Sequence, residues 1–165
     1  MMSLLVIFST SSCAQADKSK RPSPPAMVTK KVGNLTMTID YSQPAGKGRI
    51  IGKPLEPKDG EVWRTRANET TVFETDQNAA VEGKLLPKEK YGLFTLVNGN
   101  EWTIIFNKTW KQWGAYDYKE SDDVLRVKVN AGIAEPPAEK MTFNIDDNGK
   151  VTLLWGDRKV EFQVK

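Results

Sequence analysis

The chain has 165 residues, 39% of them hydrophobic and 27% charged, with a formal net charge of +3, one cysteine and no histidine. That length suits one domain with a packed core. Without imidazole there is no Ser-His-Asp or Cys-His nucleophile and no two-His metal site, and a single thiol excludes internal disulfides and thiolate metal clusters.

Residues 1–16, MMSLLVIFSTSSCAQA, combine a short apolar run, small polar residues and the only cysteine, as at the end of a secretory signal peptide. The apolar run is short and no Lys or Arg precedes it, as expected if the true start lies upstream. Two cleavage readings compete. Thr10-Ser11-Ser12-Cys13 reads as a lipobox, cut before Cys13 with lipidation of its thiol, with Thr10 where Leu or Val is usual. Ala14-Gln15-Ala16 reads as a small-x-small site, leaving a mature chain from Asp17. A lone cysteine directly after a signal-like stretch favours the lipoprotein. Either way the protein is expected to be exported, periplasmic or outer-membrane-associated. No later stretch approaches the roughly eighteen apolar residues of a spanning helix, so the lipid anchor is the expected membrane contact.

Residues 17–31, DKSKRPSPPAMVTKK, are polar, basic and Pro-rich, which predicts a semi-extended linker between leader and domain. Lys18, Lys20, Arg21, Lys30 and Lys31 stand there against Asp17 alone, so this segment carries the whole positive excess and residues 32–165 are close to neutral. Such a body lacks the basic face that phosphate-backbone binding requires, and no nucleic-acid partner is expected.

From residue 34 onward the hydrophobic period is two. NLTMTIDY places Leu35, Met37, Ile39 and Tyr41 on one face of a strand. The stretch AGKGRIIGKP resembles a phosphate loop only superficially: Pro54 follows Gly52-Lys53 where Ser or Thr would hold magnesium, and a flexible connection is expected. Trp63 to Glu69 is the densest polar and aromatic cluster. On a strand, Trp63 and Thr65 would share one face and Arg64 and Arg66 the other, with Asn68 and Glu69 at the turn. Two readings stay open: Arg64 clamps a carboxylate or sugar hydroxyl beside Trp63, with Asn68 and Glu69 completing the site, or Arg64 pairs internally with Glu69.

YGLFTLV and EWTIIFN flank Asn98-Gly99-Asn100, a strong hairpin signal that makes Trp102 a core residue. Trp110, Trp113 and Tyr116 follow in irregular chain, either exposed for stacking against sugar rings or a partner, or buried as a cap. Asp117, Glu120, Asp122 and Asp123 form an acidic loop without the spacing or central glycine of a calcium loop, so no metal site is expected. Arg126 on the next strand joins Trp63, Arg64, Asn68, Glu69, Trp113 and Tyr116 as the candidate binding residues. VLRVKV, KMTFNI and KVEFQV point Leu125, Val127, Val129, Met141, Phe143, Ile145, Val160, Phe162 and Val164 inward. TLLW between Asp147-Asn148-Gly149 and Gly156-Asp157 predicts the middle strand of a terminal three-strand meander. In all, about nine short strands with little or no helix predict an all-β fold over 32–165, a single antiparallel β-sandwich, jelly-roll-like or barrel-like.

YSQPAGKGRIIGKPLEP, GEVWRTRANETT, YGLFTLVNGNEWTIIFN and QWGAYDYKESDDVLRVKV together resemble the domain-of-unknown-function 2911 family of exported Bacteroidota proteins. The resemblance runs from about residue 24 to 129, and implies an envelope location and a β-sandwich-like domain but no activity. Arg66 stands where the family usually has Gly, and Lys88-Glu89 replace an Ala-Gly pair.

No specific activity follows from these residues. Three functional classes remain: a non-catalytic binding or interaction domain for an oligosaccharide, a peptide or another envelope protein, needing no cofactor; a purely structural envelope protein; and a carboxylate-dependent glycoside hydrolase on Glu69 and Glu101, whose spacing does not show the separation that chemistry demands.

Overall fold

The computed structural model describes residues 17–165; the leader and Cys13 lie outside the described residues. Eleven strands form two layers of antiparallel sheet that do not close into a barrel. The larger sheet runs β1 (Pro25–Val32), β2 (Leu35–Ser42), β4 (Thr71–Thr75), β7 (Lys90–Asn98), β8 (Glu101–Asn107) and β9 (Asp123–Asn130), with the short β3 (Val62–Trp63) also on β7. The facing layer is a long hairpin of β10 (Gly132–Ile145) and β11 (Lys150–Gln163), joined near its end by the small hairpin of β5 (Ala79–Val81) and β6 (Lys84–Leu86) through a Val81–Val164 bridge.

Alternation explains which side chains fill the gap. Met37 and Ile39 of β2 are fully buried, as are Met141 and Phe143 of β10 and Val160 and Phe162 of β11 to within 2% exposure. The layers meet through aromatic edges, Tyr41 against Phe143 at 5.0 Å and Phe106 against Phe162 at 6.1 Å between ring centroids. The Tyr41 hydroxyl also accepts the Phe143 N–H at 3.2 Å. The β7–β8 hairpin pairs Asn98 with Glu101, so its two-residue loop is Gly99-Asn100, with Gly99 at φ +60°. Trp102 is core, as expected, at 1% exposure.

Two expectations need correction. The terminal meander does not exist: TLLW and KVEFQ are halves of one strand, β11, whose pairing with β10 runs from Val151 to Lys159. Val151, Leu153 and Trp155 point inward at odd positions, Val160 and Phe162 at even ones. The parity change falls at Gly156 (φ +57°), where the pairing slips against Ala138. The extra residues of this irregularity lie on β10, four and then five of its positions facing two on β11. On β11 a left-handed glycine bends the strand without reversing it, so that Gly-Asp mimics a turn in sequence.

The linker also ends sooner than 17–31 suggested. Residues 25–31 belong to the edge strand β1, whose Ala26, Val28 and Val32 pack against the core while the intervening side chains face solvent. Proline is tolerated at the start of an edge strand, so Pro25 does not prevent it. Residues 18–20 form a 3-10 turn capped by Asp17, whose carboxylate accepts the Ser19 N–H at 3.0 Å. Among the described residues, no helix is long and apolar enough to cross a membrane.

Candidate functional site

The segment after β3 does not continue as a strand. Thr65 and Asn68 both have left-handed backbones, at φ 55° and 68°, so the chain curls instead of alternating. Thr65 (0%) and Arg66 (6%) are consequently both buried, and Arg64 and Arg66 do not share an exposed face. Hydrogen bonds within the curl hold it: Thr65 Oγ1 donates to the Trp63 carbonyl at 3.3 Å and Thr71 Oγ1 to the Thr65 carbonyl at 3.0 Å.

This loop is stitched to the connection between β8 and β9. Thr70 N and Oγ1 donate to the Gln112 carbonyl, Gly114 N donates to the Asn68 carbonyl, and Glu69 bridges Trp113. The connection itself lies on the outer face of the larger sheet, with the Tyr118 ring 5.0 Å from buried Phe94. The two loops enclose a cleft of about 360 Å³ lined by Asp40, Arg66, Glu69, Trp110, Gln112 and Trp113, with Lys18 and Lys111 at the same opening.

Charge in the cleft centres on Glu69. Arg66 Nη2 reaches its carboxylate at 3.4 Å, Arg21 Nη1 at 3.0 Å and Lys18 Nζ at 3.3 Å. Burial alone would raise the Glu69 pKa; hydrogen bonds from its own backbone N–H, Arg21 and Lys18 outweigh burial and bring it from 4.5 to about 2. Arg66 also donates to the Asp40 carbonyl at 3.0 Å. Burial lowers the Arg66 pKa against the opposing pull of Asp40 and Glu69. The internal partner expected for Arg64 is therefore Arg66's: the curl turns residue 66, not 64, towards Glu69. Lys18 and Arg21 fold back on the domain to complete the cluster, which local sequence patterns give no means of anticipating. The Arg-for-Gly departure at position 66 was the one available signal.

Trp113 is 55% exposed and Tyr116 86%, whereas Trp110 is half-buried with Lys111 Nζ 4.9 Å and Lys90 Nζ 5.4 Å from its ring. Gln112 is 9% exposed; its Nε2 donates to the Thr109 carbonyl at 2.6 Å and its Oε1 is buried without a hydrogen-bond partner. Asn68 is turned away, its Nδ2 3.4 Å from the Ser23 carbonyl. Trp63 is core at 3% exposure, and the Arg64 side chain has no ion pair or hydrogen bond among the described residues, although its carbonyl accepts the Thr71 N–H at 3.3 Å.

Arg126 sits apart from the cleft. Its Nε donates to Asp123 Oδ2 and its Nη2 to the Tyr118 hydroxyl, both at 2.7 Å, and the Tyr118 hydroxyl donates to Asp123 Oδ2 at 2.7 Å. Burial, then the bond to Asp123, pushes the Tyr118 pKa up to about 12, so the phenol keeps its proton and ties the β8–β9 connection to the sheet. Asp122 accepts from Thr109 at 2.8 Å, so this acidic loop is engaged internally. Tyr118→Phe should cost about 1 kcal/mol and lower the melting temperature by roughly 2–4 °C in calorimetry, since Asp123 retains Arg126. No change would show that the triad does not hold the connection.

The profile of the family described as "Protein of unknown function (DUF2911)" matches residues 23–164. The chain belongs to this family. No curated protein and no solved structure matches it. The DUF2911 match begins before β1 and ends in the last residues, so all eleven strands and the cleft apart from Lys18 fall within it. Among the described residues, no group of His, Cys, Asp and Glu is arranged to hold a metal ion.

Proposed function

We propose that this DUF2911 chain is an exported, lipid-anchored, non-catalytic domain of the cell envelope that binds an oligosaccharide in the cleft beside Trp113. The carrying observation is the pairing of an exposed indole, Trp113, with solvent-reachable carboxylate acceptors, Asp40 and Glu69, in one cleft. Sugars present hydroxyl donors at their edges and C–H faces for stacking, which is the complement of that pair. Lys18 and Lys111 add donors at the opening. Export and the anchor on Cys13 rest on the leader and on the family resemblance.

The hydrolase alternative has less support. Its general acid must hold a proton near neutral pH, yet Glu69 is brought to about 2 by its cations. Glu101 lies at the β7–β8 turn, paired with Lys128 at 2.8 Å, and is not part of the cleft. A purely structural role draws support from the Arg66–Glu69 cluster, whose charges are satisfied internally.

A thermal-shift panel on the full chain with cellotetraose, chitotetraose, mannotetraose and maltotetraose tests the reading. At a hundredfold excess over Kd, a bound sugar should add about 2.7 kcal/mol, a rise of roughly 5–10 °C. Trp113→Ala should abolish that rise without changing the melting temperature of the free protein, because the indole is half-exposed. A flat panel would favour the structural role. Mass spectrometry of the mature N-terminus reports whether Cys13 is lipidated.

A further inference from the structure

We propose that Arg64 anchors a second binding site, which takes the carboxylate of a small molecule with a flat apolar body. A separate cavity of about 180 Å³ shares only Arg66 with the Trp113 cleft and is walled by Trp63, Trp155, Leu55, Pro44 and Pro54. The Trp155 indole N–H is already used, donating to the Glu56 carbonyl at 2.7 Å, so the walls offer apolar surface. A cavity of this size holds one substituted ring, below the volume of a typical drug-sized site.

The cavity is unbalanced in charge. Arg66 is neutralised by Glu69 and Asp40, at 3.4 and 3.7 Å. The Arg64 guanidinium makes no ion pair or hydrogen bond among the described residues, and its Nε is shut off from solvent with no acceptor. The one carboxylate lining the cavity, Glu56, is turned to Lys58: it accepts the Lys58 N–H at 3.1 Å and lies 4.0 Å from Lys58 Nζ. The Nε lies out of a ligand's reach, but the outward Nη groups have no acceptor either, and a bound carboxylate would supply one to them. The planar fork of Arg suits two carboxylate oxygens at once. Access is open as well, since a neighbouring recess of about 250 Å³ shares Glu56, Trp63 and Arg64 and continues to exposed Tyr116. A flat ring lying against Pro44, Pro54 and Leu55 over the edges of the two core tryptophans, with its acid group on Arg64, therefore meets apolar walls, charge and route of entry together.

The test titrates the full chain with phenylacetate and with its neutral isostere phenylacetamide, followed by tryptophan fluorescence and calorimetry. The acid should bind at least about tenfold tighter than the amide. Arg64→Met should lose at least that factor, and Arg64→Lys, which keeps charge without the fork, should recover only part of it. Because the Arg64 guanidinium bonds to nothing among the described residues, Arg64→Met should melt within about 2 °C of the parent. Equal binding of acid and amide, undiminished binding by Arg64→Met, or no binding of either probe would overturn the site. A large fall in the melting temperature of Arg64→Met would also overturn it, because the guanidinium would then be holding the fold. Trp113→Ala should leave phenylacetate binding intact, so this site and the saccharide cleft stand or fall separately.

Discussion

Gly149→Ala is expected to destabilise the protein by about 3 kcal/mol or more, a fall in melting temperature of roughly 6–12 °C. Gly149 closes the turn between β10 and β11 at φ +81°, with its N–H donating to the Asp146 carbonyl at 3.1 Å. That backbone costs an alanine on the order of 1 kcal/mol by itself. The larger effect is steric, because a Cβ would overlap the Val164 carbonyl oxygen. That oxygen cannot easily retreat. Val164 N donates to the Gly149 carbonyl at 3.0 Å, and its neighbour Lys165 exchanges hydrogen bonds with Ala80, fastening β5 to the end of β11. Gly99→Ala is the control: φ is +60° there and a Cβ meets nothing within 4 Å, so only the conformational cost remains. Equal losses in the two variants, measured by urea unfolding, would refute the steric argument.

Glu69→Gln should lower stability at pH 7 by about 1–2 kcal/mol and remove part of the acid sensitivity of the fold. The side chain keeps its shape and loses the charge that faces Lys18, Arg21 and Arg66. Its folded pKa, about 2, lies below the ordinary 4.5. The ionised form is thus favoured by folding: the contribution is complete above about 4.5 and disappears as pH falls towards 2. Solvent reaches this carboxylate and screens the effect, which sets the modest magnitude. Asp40 stays beside Arg66 in the variant, so the guanidinium is not left wholly uncompensated. Parent and variant should differ at pH 7 and converge near pH 2 in parallel urea titrations. A gap that stays constant with pH would show that packing, and not charge, carries the effect.

Both predictions sit at places where sequence patterns end. The strands at 35–41, 141–145 and 160–162 were legible because each alternates cleanly, and every inward side chain named there is buried in the core. The turn at Gly99-Asn100 was legible for the same reason, from two alternating runs around an Asn-Gly signal. The bulge at Gly156 was not, since a slip in register and a reversal of direction both recruit glycine and aspartate. Nor was the start of β1, where prolines and lysines hide a half-buried alternation that only the neighbouring strand reveals. Of the candidate site residues, Trp113 and Glu69 come together in one cleft, Tyr116 lies in the neighbouring recess beside Arg64, Arg66 takes the ion pair expected of Arg64, and Arg126 belongs to a different network.

By itself, the sequence determined the cleanly alternating strands and which of their faces turn inward, and that this chain has no imidazole and no pair of thiols to work with. Those are local properties, set by side-chain alternation along a pleated backbone or by composition alone. The tertiary structure decided which charge meets which. Arg21 reaches Glu69 across 48 positions, and Tyr41 reaches Phe143 across 102. Such pairs depend on where distant loops converge, and a left-handed residue such as Thr65 can redirect a neighbouring side chain with no trace in the hydrophobic period.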